Sequence, residues 1–176
     1  MKIDEEIKLA KQYYQQKRFQ ESGNLFESLI HQFENLNDYP KAAEMKNNAS
    51  VAYLMHGDHQ KAYELAKDSH LVFAQVNDDK NCGLALGNQA SAMEHLGEKK
   101  AALALYQLAI PHLEKAGEKE SKAYILKRIS SLHIQQGNQL EALGNMTAAL
   151  NNIDELSWSE KILKKLTDLI MRIGNN

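Results

Sequence analysis

Gly57, Gly97 and Gly137 stand 40 residues apart, each followed at once by Asp58, Glu98 or Asn138 and, five residues on, by Ala62, Ala102 or Ala142. A fixed period of this size means one supersecondary unit used repeatedly, each copy unable to bury its apolar face without a neighbour. The 176 residues therefore read as a single domain, 1–176, of four units (about 2–37, 40–77, 80–117 and 120–156) closed by a helix over 158–173. Lys17 falls in register with the glycines, which makes the first unit the divergent one.

The units are helical. Only two prolines and nine glycines interrupt a chain rich in good helix formers, and β-branched residues are too sparse for a sheet. In unit two the spacing predicts helix A over about 41–56 and helix B over about 58–76. Helix B carries one apolar stripe at i, i+3, i+4 and i+7: Ala62, Leu65, Ala66, Ser69 and Phe73, matched by Ala102, Leu105, Tyr106, Ala109 and Leu113. Asp58, Glu98 and Asn138 are expected to cap helix B by accepting from its free N–H groups. Polar turns at Asn37–Pro40, Asn77–Lys80 and Gly117–Glu120 join the units, and Pro111, inside the third helix B, predicts a bend there. Ser157-Trp158-Ser159-Glu160 reads as a capping box. The helix it opens sets Ile162, Leu163, Leu166, Leu169, Ile170 and Ile173 against Lys161, Lys164, Lys165, Asp168 and Arg172. A solvating lid over the end of the stack is expected of it, rather than a basic membrane-surface helix.

Twenty-one basic residues against 23 acidic ones give no global field that would favour nucleic acid or an anionic membrane, so neither is expected as a partner. Cys82, the sole cysteine, excludes an internal disulfide and reads as a buried structural thiol. The N-terminal stretch lacks the apolar core of a signal peptide and no run of about 18 apolar residues occurs, from which a cytoplasmic location is expected.

The pattern of small residue, aromatic, glycine turn and second small residue resembles the tetratricopeptide repeat (TPR) family. Ser50, Tyr53, Gly57, Ala62 and Ala66 fill its slots, then Ala90, Met93, Gly97, Ala102, Tyr106 and Ala109, then Ser130, His133, Gly137, Ala142, Met146 and Ala149; the first unit offers Ala10, Tyr13, Ser22, Phe26 and Leu29. The 40-residue period exceeds the family's 34 and is similar to its long-unit branch, which includes kinesin light chains, Pins-type adaptors and bacterial peptide-sensing regulators. HEAT and armadillo repeats share a period near 40 but do not explain the glycine-to-alanine signature. The resemblance implies an all-α, right-handed superhelix whose A helices line a concave groove.

Opposite the core face of helix A lie Glu44, Asn47, Asn48, Val51, Leu54 and Met55. Lys8, Asn48, Asn88 and Arg128 form one column in register, flanked by Lys11, Val51, Ser91 and Ser131 and by Asn47, Gly87 and Lys127. An asparagine amide offers both donor and acceptor and so can grip the backbone of an extended peptide. By the resemblance, Lys127 and Arg128 would clamp an acidic side chain or a C-terminal carboxylate. The candidate groove is thus Lys8, Lys11, Asn47, Asn48, Val51, Asn88, Ser91, Lys127, Arg128 and Ser131, and on this reading Arg128→Ala weakens binding more than Asn48→Ala. The expected function is a protein-interaction adaptor. The alternatives are an assembly subunit acting through its convex face, its edge or self-association, and a sensor of a small signalling peptide.

No catalytic, metal or cofactor site is expected. His56 and His59 straddle a turn without matched acids, His95 is expected to face the groove, and His133 occupies the aromatic core slot as a buried, hydrogen-bonded imidazole. Neighbouring Glu94 and His95 point about 100° apart on a helix, and Gly83 and Gly87 lie mid-helix rather than in a phosphate-cradling loop.

Overall fold

Every twentieth residue takes the left-handed conformation: Lys17, Asn37, Gly57, Asn77, Gly97, Gly117 and Gly137 all have φ between 56° and 96°. At each, the following N–H reaches back to a carbonyl five residues earlier. Arg18 N donates to Tyr13 O, Asp38 N to Phe33 O, Asp58 N to Tyr53 O and Asp78 N to Phe73 O, and the same bond closes at Glu98, Glu118 and Asn138, all at 2.9–3.0 Å. This is the Schellman closure, which satisfies a carbonyl at the helix end and turns the chain back on itself. The 40-residue period is therefore two half-periods of 20. The glycines marked only some of the reversals because Asn37, Asn77 and Lys17 occupy the same conformation.

A computed structural model describes the backbone of residues 3–174 and the side chains of residues 3–172. Ile173, expected on the apolar face of the last helix, lies outside the described side chains. Among the described residues the structure is all helix, with no strand. The A helices are α1 (Ile3–Gln15), α3 (Tyr39–His56), α6 (Asp79–His95) and α8 (Lys119–Gln135). The B helices are α2 (Phe19–Asn35), α4 with α5 (His59–Ala66 and Ser69–Gln75), α7 (Lys99–Lys115) and α9 (Gln139–Asn151), and α10 (Trp158–Gly174) follows.

Small residues hold each A–B pair together. Ala10 faces Ser22, Ser50 faces Ala62 and Ser130 faces Ala142, with the serine hydroxyl donating to the facing alanine's carbonyl at 2.9, 2.7 and 2.7 Å. All six are buried, as are Ala90 and Ala102 in unit three, where no hydroxyl is present. Aromatic and aliphatic side chains fill the space between units: Phe26, Leu29, Tyr53 and Met45 toward the N-terminus, Phe73, Tyr106, Leu113 and Ile129 toward the C-terminus. Cys82 is buried among the latter, and burial, with Asp79 and Asp78 nearby, raises its thiol pKa, as suits an inert packing residue.

Two local expectations are corrected. Helix B of unit two is not continuous: Asp68, at φ 60°, breaks it between α4 and α5, a conformation that aspartate's short polar side chain tolerates better than most. α7 accommodates Pro111 within one continuous helix. The proline leaves the carbonyl of Gln107 without its helical donor, but Gln107 is on the exposed side, where water can supply one. Gln107 is in register with Lys67, so units two and three weaken the same level of helix B by different means. Of the expected caps, Asp58 accepts from Lys61 N at 3.1 Å, alongside Asp38 and Asp78 on the A helices, whereas Glu98 and Asn138 make no cap bond. Glutamate is a methylene longer than the favoured caps, and the Asn138 amide turns instead to His133 and Gln136.

The capping box forms reciprocally: Glu160 N donates to Ser157 Oγ at 3.3 Å, and Ser157 N and Oγ donate to Glu160 Oε2 at 3.0 and 2.8 Å. With Lys127 2.7 Å away, these donors hold the Glu160 carboxyl at a pKa of about 2. The lid itself is partial. Thr167 is buried and Leu163 lines a cleft of about 250 Å³ against α8 and α9, but Trp158, Ile162, Leu166, Leu169 and Ile170 stay exposed.

Two outcomes test this account. Lys17→Gly should stabilise the protein by ~0.5–1 kcal/mol in urea denaturation, because a left-handed lysine is strained, while Gly97→Ala, with open space around it, should cost about 1 kcal/mol through φ alone. Because Glu160 is depressed in the folded state, its contribution is present above an unfolded pKa near 4.5 and is lost as pH falls toward 2. Emission of the only tryptophan, Trp158, should accordingly shift across that window in wild type and show no such step in Glu160→Gln.

Candidate functional site: the concave face of the A helices

The A helices bring the expected column to one surface, where two depressions adjoin. The first, about 240 Å³, is lined by Lys11, Tyr14, Asn48 and Val51 with Phe26 behind them. The second, about 420 Å³, draws on all four A helices: Tyr14 of α1, Val51, Leu54 and Met55 of α3, Leu84, Gly87, Asn88 and Ser91 of α6, and Glu120, Ser121, Tyr124 and Ile125 of α8. Tyr14 and Val51 belong to both, so the depressions form one groove. Its walls are chiefly apolar; Asn48 and Asn88, both half-buried, contribute amide side chains in register, and Gln15 adds a third amide at the α1 end. Burial raises the Tyr14 hydroxyl pKa, with Tyr124 across the groove adding to it.

The remaining expected residues lie elsewhere or are already engaged. Asn47 is buried, with no donor to its Oδ1 among the described residues. Its register mate Gly87 explains why: a Cβ there would sit 3.1 Å from Ile125 Cδ1, so the column Asn47, Gly87, Lys127 is the seam between successive A helices. Lys127 crosses that seam to Glu160 of α10. Arg128 turns to Glu94, its Nε and Nη2 donating to the two carboxylate oxygens at 3.1 and 2.5 Å. Glu94 also accepts from the Tyr106 hydroxyl at 3.0 Å, and its side chain is 8% exposed. The clamp expected of Lys127 and Arg128 is thereby corrected: each cation is neutralised within the chain, because the helix one unit away presents a carboxylate within reach. Lys8 is exposed one turn before Lys11 on α1, and Ser131 is half-buried outside both depressions.

Tyr14, Leu84 and Tyr124 were not among the expected site residues. The signal for two of them is in the repeat, since Leu84 and Tyr124 are in register with Glu44, a residue on the same helix face. Tyr14 is in register with Leu54 and marks the same column in the first unit.

No histidine lines either depression. His95 does not face the groove; its ring lies 4.8 Å from that of His59, and its Nδ1 is 2.8 Å from Ser91 O. His133 is half-buried and meets only the Asn138 amide, at 3.4 Å, in place of the buried imidazole expected. No group of three or more His, Cys, Asp or Glu side chains among the described residues could hold a metal ion.

No family model matches the sequence, and no curated protein does. Solved structures do match. The nearly identical TPR-like repeats of a Podosopora anserina protein assigned as a kinesin light chain superpose with a TM-score of 0.73 at 18% identity, over 94% of this chain and 81% of that one. A singly substituted form of those repeats gives 0.68 at 15% identity over 99% of both chains. The fold is a TPR-like helical-repeat solenoid. BtubC (BKLC) from P. vanneervenii is similar too, with a TM-score of 0.73 at 14% identity over 90% of this chain and 68% of that one. Within this TPR-like solenoid the groove is lined by the A helices, in a chain that shares less than a fifth of its sequence with those neighbours.

The Arg128–Glu94 pair should therefore matter to stability. Arg128→Ala, which leaves a buried carboxylate unpaired, should cost about 2–4 kcal/mol in thermal or urea denaturation, and Glu94→Gln in the same chain should recover part of it. A loss below about 0.5 kcal/mol would show that the pair is not desolvated.

Proposed function

We propose that this TPR-like solenoid is an interaction module that holds a segment of another protein along its concave face, with apolar side chains as the main anchors. One observation carries the reading: all four A helices contribute to a single groove of mostly apolar lining in which two asparagines, one per unit, sit in register. A segment laid there would bury apolar side chains against Val51, Leu54, Met55, Leu84 and Tyr124, at about 25 cal/mol per Å² of apolar surface. Asn48 and Asn88 would pair with its backbone, which suits an extended segment whatever its sequence. TPR-like repeats are interaction scaffolds in general, which supports the class of function.

An acidic group on the partner would be met at the α1 end, by Lys11 with Lys8 one turn away, since Arg128 and Lys127 are paired internally. This reverses the order of effects expected from the sequence. Peptides selected from a random library on the immobilised protein, then titrated calorimetrically, should lose about 0.5–1.5 kcal/mol of binding with Asn48→Ala or Asn88→Ala and roughly tenfold or more in affinity with Val51→Asp. Arg128→Gln should change affinity less than either asparagine variant. Selected peptides whose binding is indifferent to Val51→Asp and to both asparagine changes would place the interface outside the groove.

A further inference from the structure

α10 faces its apolar stripe the wrong way for a lid. It rests on the solenoid through the buried Thr167, with Glu160 tied to Lys127 and Leu163, still 39% exposed, at the edge of the cleft against α8 and α9, and it turns Trp158, Ile162, Leu166, Leu169 and Ile170 outward, from 40% to 79% exposed. These five positions lie within about 120° of one another around a helix of about 100° per residue, so they form one continuous strip. Lys161, Lys165 and Arg172 run along one edge of it, and none of them enters an ion pair among the described residues. The other edge is occupied by the body of the protein.

We propose that α10 is a membrane-surface helix, and that its partner is an anionic lipid bilayer. An amphipathic helix with a tryptophan and aliphatic residues on one face and lysine and arginine beside them lies in the headgroup boundary, drawn by apolar burial and by attraction to anionic lipid. No helix among the described residues is long and apolar enough to cross a membrane, so α10 lies on the surface rather than spanning it.

Shape and charge favour a bilayer over the other occupants. A partner helix seats best in a groove between two walls, whereas α10 presents a ridge open along its basic edge. A second copy packed antiparallel about a two-fold axis would set that basic edge against itself, which costs like-charge repulsion. The local excess of basic residues on α10, four against two acidic, stands within a chain of net charge −2, so the attraction is confined to this helix.

Trp158 makes the test direct, being the only tryptophan and 79% exposed. The full chain is mixed with vesicles of phosphatidylcholine alone or with about 30 mol% phosphatidylserine, and flotation and Trp158 emission are recorded. Expected is flotation with the anionic vesicles, a blue shift of Trp158, and weaker binding at high salt and on neutral vesicles. Leu166→Glu with Leu169→Glu should abolish both signals while leaving the circular dichroism of the solenoid unchanged, because both side chains are already exposed. Lys161→Ala and Lys165→Ala should each lower affinity about fivefold. Absence of flotation and shift with both vesicle types would overturn the proposal, as would equal binding to neutral and anionic vesicles. Light-scattering mass that rises with concentration, is cancelled by the double glutamate variant and comes without vesicle binding would also overturn it, assigning the face to a second copy.

Discussion

The molecule depends on one backbone device, the left-handed reversal closed by an N–H bonding back across five residues, repeated every twentieth residue from Arg18 to Asn138. Each reversal satisfies a helix-end carbonyl and fixes the direction of the next helix, so successive helices come out nearly equal in length and antiparallel. Equal lengths keep the array in register. Ala10 then meets Ser22, Ser50 meets Ala62 and Ser130 meets Ala142, always twelve residues apart across a reversal, and small side chains at these points allow the close approach that buries both helices.

The same register organises the concave face. Residues 40 apart come to equivalent places on successive A helices, so a face that is small or apolar in each unit becomes one groove across four. Its electrostatics are less regular. In the last unit the positions that would have presented cations to a ligand are turned to carboxylates two helices away along the chain, Arg128 to Glu94 and Lys127 to Glu160. What remains for a partner is apolar surface, the amides of Gln15, Asn48 and Asn88 and the lysines of α1, a combination that selects for shape and backbone more than for charge.

The two ends of the chain depart from the array differently. Unit one keeps the reversal with a strained lysine and still packs against its neighbour. α10 keeps the apolar residues of an array helix but seats a different side on α9, leaving its strip outward. The face it turns outward belongs to a strongly amphipathic helix.

The 40-residue spacing of the glycines and alanines was enough to establish an all-α helical repeat with its A and B helices and small-residue contacts, and the Ser157–Glu160 motif its capping box, because these are local or periodic and follow from backbone conformation and side-chain size. The half-period stayed hidden where Asn37, Asn77 and Lys17 replace glycine, and nothing in the period announced the break at Asp68. Residue type and register placed Asn48, Asn88 and Val51 on the inner face, but could not separate Asn47, its amide caught in the seam between A helices, from its neighbour one position on. Nor could they show that Arg128 and Lys127 are already paired. The pairing of charges and the facing of α10 are set by which elements come within a few ångströms after the chain has coiled, and a period in sequence carries no measure of that distance.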